Sequence, residues 1–156
     1  MIFLLAFVLG FVAGLRSMTA PALVAWAARL GWLQLEGTPL SFLGIPWVTY
    51  LLTLFMVAEL VADKLPRTPA RTMVGPFLAR ILLGGLAGAA LAVGSGSSLA
   101  LGAVVGGLGA IAGTLGGYRA RTGLVKALGV PDVVVALAED CVAVGGALLV
   151  VSPLLR

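Results

Sequence analysis

Apolar residues run almost unbroken along this chain, so the places where the pattern stops carry most of its information. Residues 2 to 15, 46 to 63, 77 to 94, 99 to 118 and 132 to 152 are five apolar stretches that reach or approach the length of a membrane-crossing helix, for which about 20 residues are needed. The first is the shortest and must draw length from the residues after it. Between the third and fourth, "GSGSS" at 94 to 98 predicts a tight turn. Two shorter patterns, "APALVAWAARLG" at 20 to 31 and "ARTGLVKALG" at 120 to 129, each come after an arginine-bearing break and precede a segment that starts with proline. Both are too short to span and are predicted as half-helices, re-entrant or interfacial. Ser17 and Thr19 are cap candidates for the first, with Pro21 in its first turn, where a missing N–H costs nothing.

Composition turns these helices into membrane helices. Hydrophobic side chains make up 61% of the 156 residues, charged ones 10%, and mean hydropathy is +1.17, far too apolar for a water-soluble domain. The expectation is an all-α integral membrane protein in a single membrane domain, residues 1 to 156. No cleaved leader is expected at 1 to 15, because a positive n-region is missing and the chain stays hydrophobic beyond it. With no histidine and a single cysteine, the imidazole base, the usual zinc ligand and an intramolecular disulfide are excluded. An enzyme and a cofactor are therefore not expected, and the formal charge of +4 reads as loop charge, with no nucleic-acid partner.

Basic residues orient the layout, because Lys and Arg are enriched in cytoplasmic loops. With the N-terminus inside, Lys64, Arg67, Arg71, Arg80, Arg119, Arg121 and Lys126 fall near the inner face and only Arg16, Arg29 and Arg156 near the outer, which predicts N-in and C-out. Trp26, Trp32, Trp47 and Tyr50 suit an outer aromatic belt.

The chain also repeats itself. "LGIPWVTYLLTLFMVAE" (43 to 59) and "LGVPDVVVALAE" (128 to 139) share Leu-Gly-aliphatic-Pro and an apolar helix carrying a glutamate; "GFVAGL" (10 to 15) parallels "GAIAGT" (109 to 114). Residues 1 to 63 and 99 to 152 thus form two repeats, and the connecting helix 77 to 94 would invert the second. Inverted repeats with broken helices recur in secondary transporters, with sites near the bilayer midplane. Glu59 lies thirteen residues after Pro46, about 20 Å from the outer face, and Glu139 eight after Pro131, about 12 Å from the inner and so about 18 Å from the outer. The two acids share a depth.

Intramembrane charges are expensive, so Glu59, Glu139, Asp140 and, near the inner boundary, Asp63 are candidates to bind a coupling ion, or a metal if there is one. Arg16 stands at a break, beside Ser17 and Thr19 and just before a half-helix whose free N–H groups favour an anion. Arg119 and Thr122 occupy the corresponding break, and all five are candidate substrate contacts. The predicted activity is a small proton- or ion-coupled secondary transporter for a substrate with an anionic group. A divalent-cation carrier or channel and a non-transporting scaffold or subunit are the alternatives. Glycines 84, 88, 102, 106, 109, 113 and 117 fall in small-xxx-small spacings that suit close helix packing, and the same spacing would serve a homodimer.

"GLRSMTAPALVAWAA", "AELVADKLPRTPART" and the region from "GGYRARTG" to "ALAED" resemble an uncharacterised bacterial family of small integral membrane proteins, a domain of unknown function. The resemblance covers nearly the whole chain through its GLR-x-x-TAP and E-x-x-x-DK-x-P motifs and implies a multi-pass protein of the bacterial inner membrane. Glu59, Asp63, Lys64 and Thr68 are also similar to the acid-lysine-threonine motif of a manganese and calcium exchanger family, with Ala62 in place of its glycine.

Overall fold

The computed structural model describes residues 1–64 and 73–152, so Arg67, Thr68, Arg71 and Arg156 lie outside the described residues. Among the described residues six helices succeed one another: α1 (Ile2–Leu15), α2 (Thr19–Arg29), α3 (Pro46–Ala62), α4 (Val74–Val93), α5 (Leu99–Leu128) and α6 (Asp132–Val151), with a short 3-10 turn at Ser41–Gly44 before α3. Among the described residues there is no strand. The last three helices are long and apolar enough to cross a membrane, while α1 and α3 are shorter apolar helices.

The two breaks expected from the sequence turn out differently. At Arg16 the backbone is extended, φ −137° and ψ 108°, and α1 ends there. Continuing the helix would bring Pro21, which lacks an N–H and whose ring clashes with the carbonyl four residues back, into a helix interior, so α2 starts anew with Pro21 in its first turn. No such residue interrupts "YRART", and arginine and alanine are strong helix formers. Residues 120 to 129 are therefore not a half-helix: α5 runs for 30 residues and stops at Gly129, whose φ of 63° is the left-handed cap that glycine accepts.

Glycine contacts define the core and its direction. A Cβ at Gly10 would stand 2.0 Å from the Gly106 carbonyl oxygen, and one at Gly106 would stand 2.3 Å from that of Gly84. α1, α4 and α5 thus meet backbone to backbone. Gly10 faces Gly106 and Gly14 faces Ala110, four residues on in both helices, so α1 and α5 run parallel. By contrast Val12 lies against Gly146 and Arg16 against Asp140, so α6 runs antiparallel to α1 and brings Val151 to the end of the bundle where Met1 lies.

α2 turns straight back. Ser17 and Met18, just before it, meet Glu59 at the end of α3, while Trp26 donates to Thr53 at 2.9 Å and packs edge-on against Tyr50, with ring centroids 6.0 Å apart. Leu33, beyond α2, reaches Gly94 at the end of α4. Together α1 and α2 form a hairpin inside the bundle, with Thr19 to Ala25 and Ala27 buried, so α2 does not lie on a surface.

These directions correct two expectations. The expectation of chain ends on opposite faces, N-in and C-out, counted α1 as a crossing, but the hairpin brings both described ends to one end of the bundle. An inverted repeat requires α1 and α5 to oppose each other, yet they are parallel, although α3 and α6 are opposed. The equivalence of the halves failed because the break at Arg16 reverses the chain and the position matched to it in α5 does not.

Candidate functional site

A reversal inside a bundle exposes the last carbonyls of one helix and the first N–H groups of the next, and each needs a partner. Here other helices supply them. Arg80 of α4 donates through Nη1 to the Gly14 carbonyl at 2.6 Å and to that of Leu15 at 3.0 Å, and Thr114 of α5 donates to Gly14 at 3.2 Å. On the α2 side, the Glu59 carboxylate accepts from the N–H of Ser17 and of Met18, both at 2.8 Å, and from the Ser17 hydroxyl at 2.7 Å. Arg80 Nη2 stands 3.7 Å from the same carboxylate. The anion expected at this helix start is thus, in the folded chain, the protein's own Glu59, and the local cap candidates Ser17 and Thr19 do not cap α2.

Arg16 projects from the hairpin tip into a chain of alternating charges. Its side chain is fully buried. Nε donates to Asp140 at 2.5 Å, Nη1 approaches Asp63 at 2.6 Å, and Nη2 lies 3.9 Å from Glu139. Asp140 continues to Lys64 at 2.5 Å. Asp63 continues to Arg121 at 2.5 Å, and Arg121 forks onto Asp132 at 2.8 and 2.5 Å. The order Lys64, Asp140, Arg16, Asp63, Arg121, Asp132 alternates in sign throughout. Glu139 flanks it, 3.6 Å from Arg121.

Five of the chain's six acidic residues and four basic ones therefore meet around one reversal. Asp140 lies eight residues, about 12 Å, beyond Asp132, and Arg16 sits at the end of a helix about 21 Å long. The centre of the cluster, at Arg16, Asp63, Glu139 and Asp140, is well inside the bundle, while Asp132 at its edge is exposed. Charges this far from water must be paired, and removing one member of such a set strands the others. A small cleft of about 180 Å³, lined by Ser17, Glu59, Ala62, Asp63, Pro76, Ala79 and Arg80, lies on its α3–α4 side.

Of the residues singled out from sequence, Arg16, Ser17, Glu59, Asp63, Glu139 and Asp140 come together here. Thr19 is buried in the first turn of α2, its hydroxyl without a partner. Arg119 and Thr122 are exposed on α5, and Thr122 returns its hydroxyl to its own helix, to the carbonyls of Tyr118 and Arg119. Neither is among the residues that contact the cluster. Sequence reasoning missed Arg80, Asp132 and Thr114 as site members, and of the two arginines in "YRART" it took Arg119 as the substrate contact where the structure brings in Arg121; Lys64 pairs with Asp140 of α6. For Arg121 a signal existed, since it lies two residues from Arg119 in the same motif, and a two-residue step on a helix moves a side chain to the opposite face. Among the described residues no three of Asp, Glu, Cys and His converge into a metal-holding group.

A family model described as a domain of unknown function (DUF4126) matches residues 3–155. No curated protein and no solved structure matches the chain.

Proposed function

The chain belongs to the DUF4126 family, and from that premise we propose that it is a small proton- or ion-coupled secondary transporter of the bacterial inner membrane, with no enzymatic activity. The carrying observation is the fully buried Arg16 at the tip of a hairpin, held by carboxylates from α3 and α6. A reversed chain inside a bundle, satisfied by side chains of its neighbours, is the kind of irregular backbone that membrane proteins tolerate where it serves a site. Lys64, Arg80, Arg121 and Lys126 all lie toward one end of the bundle, and the positive-inside rule assigns that end to the cytoplasm. Both described chain ends then face outward.

In this reading Glu59 is an internal substitute for the substrate's anionic group. When Glu59 takes up a proton, its hold on the Ser17 and Met18 N–H groups weakens, and an anion entering by the cleft takes those donors and Arg80. Proton and anion then move together, with Asp63, Glu139 and Asp140 rearranging around Arg16. Proteoliposomes with an internal pH dye test this: an inward gradient of a transported small carboxylate or phosphate should acidify the lumen with wild type and not with Glu59→Gln. Failure of every anion tested to drive proton movement would remove the proposal.

One observation favours a second reading. Each of the five acids in the cluster has a cation within 4 Å, as a purely structural lock would require. A scaffold of that kind would lose stability in the same variants and move no solute in any of them.

A further inference from the structure

Helix α5 carries Arg119, Arg121 and Lys126 and no acidic residue. Its 30 residues make it about 45 Å long, against about 30 Å for the 20 residues of α4 or α6 and for the hydrocarbon itself. The turn at 94 to 98 joins its start to the end of α4. Gly88 and Gly102, equidistant from Ser95 in the chain, meet across the two helices, so the excess length falls at the other end of α5. That end, about ten residues from Arg119 on, lies on the side that the positive-inside rule assigns to the cytoplasm.

On a helix with 3.6 residues per turn, Leu115, Arg119, Thr122 and Lys126 fall within about 60° of one another. All four are exposed, on the face opposite Gly113, Gly117 and Arg121, which turn toward the bundle. Arg16, Lys64, Arg80 and Arg121 each have a carboxylate within 4 Å, whereas Arg119 and Lys126 have no acidic partner among the described residues. Thr122 donates to its own helix, so the two cations supply the chemistry of the stripe. Leu115 and Tyr118, 38% and 45% exposed, continue it toward the hydrocarbon, and tyrosine is favoured at that boundary. Thr122 lies about 4.5 Å along the axis from Arg119 and about 6 Å from Lys126, which lets both long side chains reach one anion beside it.

We propose that this stripe binds an anionic phospholipid of the inner leaflet, its phosphate between Arg119 and Lys126 and an acyl chain against Leu115. With no acid on α5 to meet an ammonium group, a zwitterionic head gains less. The surface is separate from the charge cluster and stands whether or not the chain transports ions.

The test offers the full chain, in mixed micelles, equal amounts of phosphatidylglycerol and phosphatidylcholine with the same acyl chains, and counts the lipids retained by native mass spectrometry. The expected preference for phosphatidylglycerol is roughly 25-fold, about fivefold for each cation near an anionic surface. It should fall to near parity in Arg119→Gln, Lys126→Gln and persist in the charge-conserving pair Arg119→Lys, Lys126→Arg. Both side chains are exposed, so helical circular dichroism of the variants should match wild type. Arg29→Gln, at the opposite end of the bundle, should keep the preference. Equal retention of the two lipids by wild type would overturn the proposal. So would a preference that survives the double glutamine variant, one lost equally in Arg29→Gln, or displacement of the lipid by soluble glycerol phosphate, which would make the site one for free phosphate.

Discussion

Replacing Arg16 by methionine keeps an unbranched apolar stem and removes the charge at the centre of the network. The substitution strands two nearly buried carboxylates: the side chains of Asp63 and Asp140 are 10% and 12% exposed and lie 2.6 and 2.5 Å from the guanidinium. Deleting one partner of a buried ion pair costs about 3–5 kcal/mol, because the other charge is left uncompensated. Asp63 keeps Arg121 and Asp140 keeps Lys64, so the lower end, about 3 kcal/mol, is expected. Against a total stability of about 5–15 kcal/mol this is a large fraction. If the cost is stranded charge, the triple variant Arg16→Met, Asp63→Asn, Asp140→Asn should recover most of it, since well-packed neutral replacements of buried ion pairs are often neutral or stabilising. Equilibrium unfolding in mixed micelles, followed by helical circular dichroism, measures both. A loss below about 1 kcal/mol for the single variant, or a triple variant no better than the single, would refute the account of Arg16 as the hub of a desolvated network.

The geometry sets three further outcomes. Glu59→Ala should release the amides at the start of α2, so that hydrogen exchange at Ser17 and Met18 accelerates, while Glu59→Gln, which keeps an acceptor, should show a smaller effect; equal protection in both would contradict capping by α3. Gly10→Ala should cost about 1–3 kcal/mol or more, because its Cβ meets backbone at 2.0 Å, whereas Gly123→Ala, with nothing within 4 Å in a helix, should gain about 0.5–1 kcal/mol; thermal unfolding of the pair decides. Asp132→Asn should cost under about 1 kcal/mol and Asp63→Asn several times more, although both contact Arg121, because their side chains are 59% and 10% exposed; similar losses in unfolding experiments would show that burial does not set the strength of this network.

Much of the helical layout was legible in the chain. The apolar runs, the "GSGSS" turn and the proline-started segments placed α1, α3, α4 and α6 within a few residues, because helix boundaries here are written by local chemistry. The cost of burying charge was equally local, which is why Arg16, Glu59, Asp63, Glu139 and Asp140 stood out before any fold was known.

Direction and pairing were not local. Whether an arginine-bearing break reverses the chain depends on what receives the freed backbone groups, and Arg80, Thr114 and Glu59 sit 66, 100 and 42 residues from their partners in the hairpin. A repeated sequence motif could not reveal that Arg16 ends a helix while Arg119 rides through one. Nor could spacing choose Arg121 over Arg119, or Asp140 over Asp63 as the partner of Lys64, since those choices rest on which faces of α5 and α6 the glycine-lined contacts with α1 turn inward. Residue order alone dictates a helical, membrane-compatible chain whose charges are too costly to bury unless they meet. Their meeting at a hairpin tip comes from the packing of the helices, because pairing energy depends on distances between helices that no run of residues contains.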